Sequence, residues 1–411
     1  MSGERYQVVV VGAGLVGAAA ALALARQGLR TALVERQLPA IPAVGWDTRI
    51  YAISPANQRF LERLGAWQCM DASRIQPVLR MDVAGDASGA IRLDAYEAGV
   101  SHLATIVESG RLQRALWQAI EDDGNVALHC PAAIASIERG ERLSRLTLAD
   151  GSILEAELIV GADGAASRIR DWAGLDSTLA PYGQSGVVAN FECAIPHRGT
   201  AFQWFFDGDI LAWLPLPGHT TPRGLQPTVD RSTHKGHRDP PSGGNRLSMV
   251  WSTQSAHADE LVALDAATLA EKVEAAGHRR LGALRLLTPA AAFPLRLIRV
   301  ESVVAPGVAL IGDAAHGVHP LSGQGVNLGF GDAETLVGVL ARHRRGHCGD
   351  VRVLQGYARA RAEPVRRMQA LTHGLHHLFA DSRAAWLRNA GMRLVDHLPP
   401  VKAALVREAM S

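Results

Sequence analysis

The stretch Gln7-Val8-Val9-Val10-Val11-Gly12-Ala13-Gly14-Leu15-Val16-Gly17, running on through small residues to Gln27-Gly28 and then to Thr31-Ala32-Leu33-Val34-Glu35, carries the main structural signal of this chain. Gln7–Val11 is a continuous β-branched run, the pattern of a strand buried on both faces. Leu15–Gln27 reads as a helix, stopped by Gly28 at a C-cap position. Thr31–Glu35 reads as the next strand. A strand, a helix and a second strand in this order open a parallel sheet covered on both faces. Each glycine has a physical reason. Gly12 permits a tight turn, Gly14 lets the backbone approach a pyrophosphate, and Gly17 lets the helix pack closely on the strand. The helix N-terminus offers unpaired N–H groups and a positive dipole end to phosphates. Glu35 stands where it can accept hydrogen bonds from a ribose diol. A plain glycine-rich turn would leave Glu35 unexplained, so the pattern predicts a dinucleotide site. It leaves NAD and FAD both open.

The uncharged run from Val8 to Ala25 resembles a membrane span in hydropathy alone. A span needs roughly 20 predominantly apolar residues. This run is interrupted by Gly12, Gly14 and Gly17, and its first part is β-branched. Acidic Glu4 precedes it, which also argues against a signal peptide. No other segment reads as a span.

Outward from this opening, 411 residues that are 47 % apolar exceed one simple domain and support a two-domain protein. The formal net charge of +2 gives no sign of a nucleic-acid surface. The cysteines, Cys69, Cys130, Cys193 and Cys348, form no Cys-x-x-Cys pair, so neither a disulfide framework nor a zinc site is expected and a reducing cytoplasm fits. Ala201–Phe206 and Ile210–Leu214 are strand-like runs around Asp207-Gly208-Asp209, a hairpin signal in an antiparallel second domain. His219–Asn245 has no apolar periodicity and reads as a long mobile loop joining two strands. Val308–Ile311 is again a buried parallel strand. Gly325–Arg342 is helical in pattern. From Val351 onward the chain reads as helical, with Pro364 and Pro399-Pro400 as interruptions.

A later stretch narrows the cofactor. Val308-Ala309-Leu310-Ile311-Gly312-Asp313 delivers an acid to the carboxyl end of a strand, where ligands sit in open α/β sheets. His319-Pro320-Leu321-Ser322-Gly323-Gln324-Gly325-Val326-Asn327 then turns into a helix. An NAD dehydrogenase has no need of this second element. A flavin does. Asp313 can bond a ribityl hydroxyl, and the helix N-terminus can face the pyrimidine edge of the ring, which becomes anionic on reduction.

The segment from His319 to Asp332 resembles the signature of the ubiquinone-biosynthesis hydroxylases, His-Pro-x-x-Gly-Gln-Gly-x-Asn-x-Gly-x-x-Asp, at every fixed position. These are similar to the single-component flavoprotein monooxygenases typified by para-hydroxybenzoate hydroxylase. The middle motif of that class is present as Gly161-Ala162-Asp163-Gly164-Ala165-Ala166-Ser167-Arg168-Ile169-Arg170. A looser similarity follows in the tail, at Tyr357, Arg359, Arg361 and Leu398–Lys402. The loop His219–Asn245 is longer than the family pattern.

The resemblance implies an α/β fold: an FAD/NAD(P)-binding Rossmann-like domain, an inserted antiparallel-sheet substrate domain and a helical C-terminal region. Residues 1–75, 106–180 and 296–350 would form the FAD domain, 76–105 and 181–295 the substrate domain with its loop at 219–245, and 351–411 the C-terminal helices. It implies FAD as cofactor and NAD(P)H, with NADPH preferred, as co-substrate. Through a C4a-hydroperoxide of the flavin, one oxygen atom of O2 would enter a polyprenylated phenol or quinol ring. The implied cofactor contacts are Gly12, Gly14, Gly17, Glu35 and Arg36 in the first motif. Arg49, Arg111 and Asp163 follow, then Gly312, Asp313, Pro320, Gly323, Gly325, Val326 and Asn327. Arg49 would sit by the pyrophosphate and the flavin edge, and Arg111 by a phosphate or the ribityl chain; each also fits a surface arginine. No catalytic side chain is assigned, and His319 and Pro320 are candidate pocket residues.

Other readings stay beside these. The enzyme could act on another phenolic or polycyclic compound, or the chain could be a non-catalytic FAD-binding subunit of a quinone-synthesis assembly. His316 and His319 lack the further ligands a metal would need, so no metal is expected. His373, His376 and His377 read as a solvated helix face. Trp204, Phe206, Trp213 and Leu214 either line an apolar substrate pocket or simply pack between sheet and helices. A polyprenyl substrate implies work at a membrane surface or within an enzyme assembly, and a homo-oligomer stays open. Trp386, Leu387, Met392, Leu394, Val395 and Leu398, beside Arg383, Arg388 and Arg393, could form an interfacial face or pack on the FAD domain.

Overall fold

A computed structural model describes residues 3–40, 45–85, 89–206, 208–218, 245–317, 325–343, 346–380 and 402. The Gln7–Val11 run lies within a strand, Glu4–Val11, at the heart of an eight-stranded sheet. Its neighbours are Ile153–Gly161 on one side and Thr31–Val34 on the other, both parallel, with Val9 opposite Ile159 and Val8 opposite Thr31. Val308–Leu310 adds a parallel strand beyond Ile153–Gly161, and Val126–His129 one beyond Thr31–Val34. Val8 and Val10 enter one core and Val9 and Val11 the other. Burial on both faces is why the run lacks polar alternation. The helices Leu15–Arg26, Ser109–Asp123 and Gly325–Arg342 cover one face. On the other face lie Leu146 and Leu148 of an antiparallel ribbon and Ile169 of the short helix Arg168–Trp172.

The second sheet is nine-stranded and mostly antiparallel. It includes Ser177–Cys193, Asn245–Gln254, Asp209–Leu216, Thr200–Phe206 and Ala291–Val300. The expected hairpin is present, with Phe202 opposite Trp213 and Trp204 opposite Leu211. Alternation along these strands sorts their side chains by face. Val187, Ala189, Phe191, Trp204, Trp213, Met249 and Trp251 point to a core shared with the helices Ser255–Ala263 and Ala266–Ala276. Trp204 and Trp213 meet edge to face, with ring centroids 4.8 Å apart. Trp204, Phe206 and Trp213 thus pack in this core, and Trp204 also borders a cavity with Phe202 and His278. Leu214 takes the other face, where it packs near Trp46, Ile50 and Ile106.

A three-stranded sheet of Ile50–Ile53, Ala104–Glu108 and Gln76–Val78 joins the two larger layers. The C-terminal helix Val351–Ala380 runs straight through Pro364, which was expected to interrupt it. An interior proline costs about 3 kcal/mol. Tertiary ties on both sides of it offset this cost. Tyr357 Oη donates to Leu310 O at 2.7 Å, Arg361 Nε to Asp332 at 2.7 Å, and Gln369 Nε2 to Ile298 O at 3.1 Å. No helix among the described residues is long and apolar enough to cross a membrane. The loop at 219–244, the tail residues Arg383 to Leu398, and the side chains of His373, His376 and His377 lie outside the described residues.

Candidate functional site: a dinucleotide groove meeting an apolar sheet face

The first strand ends in a turn built by exclusion. Gly12 has φ +100°, and a Cβ there would lie 2.4 Å from Ala162 O. A Cβ on Gly17 would lie 1.9 Å from Gly12 O. Both positions admit only glycine, as the turn and the close helix crossing require. Gly14 differs: a Cβ there would meet nothing within 4 Å. Gly14 is the N-cap of Leu15–Arg26 and supplies no side-chain cap, so the helix's first N–H groups face this open space. Glu35 Oε2 accepts from Ala13 N at 2.7 Å, which aims the carboxylate at the turn and leaves lone pairs for a further donor. Gln113 Nε2 and Trp117 Nε1 both donate to Ala13 O at 3.3 Å, fixing the turn from the helix Ser109–Asp123.

Gly12, Gly14, Glu35, Arg36 and Asp163 line one groove of about 650 Å³, closed on its far side by Ala132–Ile137. Asp163 is already engaged. Its carboxylate accepts from Ser167 Oγ at 2.5 Å, Arg168 N at 2.8 Å and Ile169 N at 3.2 Å, and so caps the helix Arg168–Trp172.

Beside the first helix the strand Val308–Leu310 leads into the turn Gly312–Ala314. Gly312 has φ +60° and packs against Val16. Asp313 is solvent-exposed at its tip, yet protein crowds it on several sides. Desolvation raises its carboxyl above the usual range, and neighbouring Asp332 adds to this, against the opposing pull of His316 and Arg49. Arg49 thus acts on Asp313 electrostatically, and its guanidinium lies 5.9 Å from the centroid of Phe293. Phe293 is paired with Gly186 on the face of the second sheet that Val188, Ala212, Leu214 and Val250 share. Arg49 therefore stands between Asp313, at the end of a strand of the parallel sheet, and the face of the second sheet that carries Phe293.

Behind Asp313 sits a buried ionic knot. Asp332 is fully buried and accepts from Gly312 N at 2.9 Å, His316 Nε2 at 2.6 Å and Arg361 Nε at 2.7 Å. Burial alone would raise the Asp332 carboxyl, but His316, Arg361 and the Gly312 N–H together hold it below its ordinary value. His316 is occupied here as the partner of Asp332. Arg111 pairs with Glu108 at 2.9 Å. Asn327 is buried and ties its helix to the first part of the chain, with Nδ2 on Ala52 O at 2.8 Å and Oδ1 receiving Ser54 N at 3.0 Å.

This geometry has known counterparts. An FAD binding domain family matches residues 5–372. The 3-demethoxyubiquinol 3-hydroxylase of Escherichia coli (strain K12) is 34 % identical over 347 residues, 84 % of this chain and 82 % of the relative. The chain belongs to the family of FAD-dependent ubiquinone-biosynthesis hydroxylases. Ubiquinone hydroxylase UbiL of Rhodospirillum rubrum is 31 % identical across 98 % of this chain and 89 % of its own. The crystal structure of Pseudomonas aeruginosa PqsL in complex with 2-aminobenzoylacetate shares the fold, with a TM-score of 0.75 at 23 % identity over 95 % of this chain and 100 % of that one.

The residues of this flavoprotein fit FAD. The open space at Gly14, the uncapped helix N-terminus beside it and the acid at the end of Thr31–Val34 suit an ADP moiety. His319, Pro320 and Gly323 lie outside the described residues, and Gly325 and Val326 open the helix Gly325–Arg342. Asp332, Asp47, Glu108 and Gln113 matter to the site and were not assigned from the sequence. Asp332 and Arg361 were quoted as pattern positions only, and no local feature of the sequence pairs them.

Proposed function

We propose that this enzyme hydroxylates the ring of a polyprenylated phenol or quinol, taking its electrons from NAD(P)H. One observation carries the reading: Arg49 stands between Asp313, whose turn packs on the first helix at Val16, and Phe293 on the second sheet. Bound FAD supplies the redox chemistry that activates O2. The chain's own residues bind and orient. Gly12, Gly14 and Gly17 leave room for the pyrophosphate at the N-terminus of Leu15–Arg26. Glu35 takes the ribose hydroxyls, with Arg36 beside it. Asp313 takes a ribityl hydroxyl, and Arg49 places a cation between the phosphates and the ring edge. Asp163 and Asn327 serve by holding the elements that frame the groove. The apolar face of Val188, Ala212, Leu214, Val250 and Phe293 receives the substrate ring and excludes water from it. No residue on that face is assigned as a base.

The relatives are named as ubiquinone hydroxylases, which supports this substrate class over another phenol and over a non-catalytic subunit. Each buried methylene adds about 0.8 kcal/mol, so a prenylated ring partitions to a membrane or a protein assembly, where the enzyme must meet it. The test is a mass-spectrometric profile of quinone intermediates in cells lacking this protein. An intermediate short of a ring hydroxyl should accumulate and disappear on return of the wild-type gene. An unchanged profile would overturn the proposal.

A further inference from the structure

Between Gly45 and Ile50 the chain carries Arg49 to its place between Asp313 and Phe293, and Asp47 holds that turn from every polar group it has. Its main-chain N–H donates to Glu108 Oε1 at 2.8 Å. Its carbonyl accepts from Asn190 Nδ2 at 2.8 Å. Oδ1 accepts from Arg49 N at 2.9 Å, and Oδ2 from Gly110 N at 2.8 Å. The far side is closed by Ser109 N donating to Arg49 O at 2.9 Å.

The partners are themselves held by further contacts. Glu108 is 1 % exposed and is held by Arg74 through Nε and a second guanidinium nitrogen, each at 2.7 Å. Arg74 in turn stacks on Trp46, 3.7 Å from the ring centroid. Asn190 is fully buried in the second sheet, with its N–H on Thr288 Oγ1 at 2.9 Å and its carbonyl receiving Leu287 N at 2.8 Å. Gly110 belongs to the first turn of Ser109–Asp123, the helix that also fixes the phosphate turn through Gln113. The contacts of Asp47 therefore come from the FAD-binding layer and from the substrate-side sheet at once.

We infer that Asp47 is a positioning residue: it pins the Arg49 turn between the two layers and so sets where the Arg49 guanidinium stands relative to the flavin site. Gly110 and Asn190 anchor it to the two layers, and Glu108 holds it from the sheet that joins them. A carboxylate is required, because it must accept two main-chain N–H groups that would otherwise be left without partners on a partly buried turn. The inference rests on the reading of Arg49 as a cofactor contact, and its test does not depend on the substrate.

The experiment measures flavin dissociation from the holoprotein on dilution, by recovery of flavin fluorescence, in a double-mutant cycle of Asp47→Ala and Arg49→Ala. Each single variant should release flavin faster, by roughly ten- to hundredfold, the range for loss of a charge-assisted hydrogen bond. The double variant should be no faster than Arg49→Ala alone, because Asp47 acts through Arg49. Wild-type dissociation in Asp47→Ala, or losses that multiply in the double variant, would overturn the inference. If circular dichroism shows that Asp47→Ala does not fold, Asp47→Asn, which keeps one acceptor, enters the same cycle under the same criteria. A failure of the hydroxylase proposal would appear separately, as absent product from the wild-type protein with the dissociation results intact.

Discussion

Gly14 and Gly17 lie one helical turn apart, yet only Gly17 excludes a side chain on the protein's own account, and this lets cofactor binding be tested apart from folding. A methyl group on Gly17 would collide with Gly12 O, whereas one on Gly14 would stand in open space. Gly14→Ala should therefore leave the melting temperature of the flavin-free protein unchanged while weakening FAD retention. Gly17→Ala should destabilise the flavin-free protein itself by about 1–3 kcal/mol, the usual cost of overpacking. Calorimetry of both apoproteins with flavin titration checks the pair, and a Gly14→Ala protein that retains FAD like the wild type would count against the placement. Asp313→Ala should weaken FAD retention by roughly tenfold or more, through a lost charge-assisted hydrogen bond. The glycine roles were legible because steric exclusion acts within a few residues of chain. Asp47 was not, because its contact with Asn190 joins positions 143 residues apart.

At the scale of elements, the ties to the C-terminal helix decide how that helix stays docked. Asp332 links Gly312, His316 and Arg361, and removing it leaves the buried His316 and the part-buried Arg361 without their carboxylate. Asp332→Ala should cost about 3–5 kcal/mol in chemical denaturation. The sign with pH follows from the depressed carboxyl. Its stabilisation is fully present above the unfolded aspartate value of about 4 and is lost as pH falls through the lower folded value. The stability gap between wild type and Asp332→Asn should hold at neutral pH and close in acid below about pH 4. A gap that is independent of pH would contradict the assignment. Element types were readable from apolar period and from glycine positions, as in Glu4–Val11 and Thr200–Phe206. Which face a tryptophan takes was not. Alternation places Trp204 and Trp213 on one side, but only the covering helices Ser255–Ala263 and Ala266–Ala276 show that side to be a core. Pro364 likewise follows a local rule that the packing around Tyr357 and Gln369 overrides.

For the molecule as a whole, the two layers are joined by Asp47 with Asn190 and by the three-stranded sheet, so they should lose structure together. Cys193 in the second sheet and Cys348 beside the parallel sheet report on this. Both are buried, and desolvation, aided by a neighbouring glutamate, pushes each thiol up to about 12. Neither should react with iodoacetamide at neutral pH in the folded protein, and both should become reactive at one denaturant concentration, whereas exposed Cys69 reacts without unfolding. Separate transitions would show that the layers unfold independently. The overall class was open to reading because its motifs mark the ends of the strands that form the groove, while the substrate side is built from dispersed apolar positions with no local signature. The most direct test of the central claim uses purified protein, FAD, NAD(P)H, a polyprenylated quinol and isotopically heavy O2. The expected product carries a single heavy oxygen on its ring and forms only with both FAD and the reduced nucleotide present. Nucleotide consumption without a labelled ring product, or a protein that binds no FAD, would contradict it.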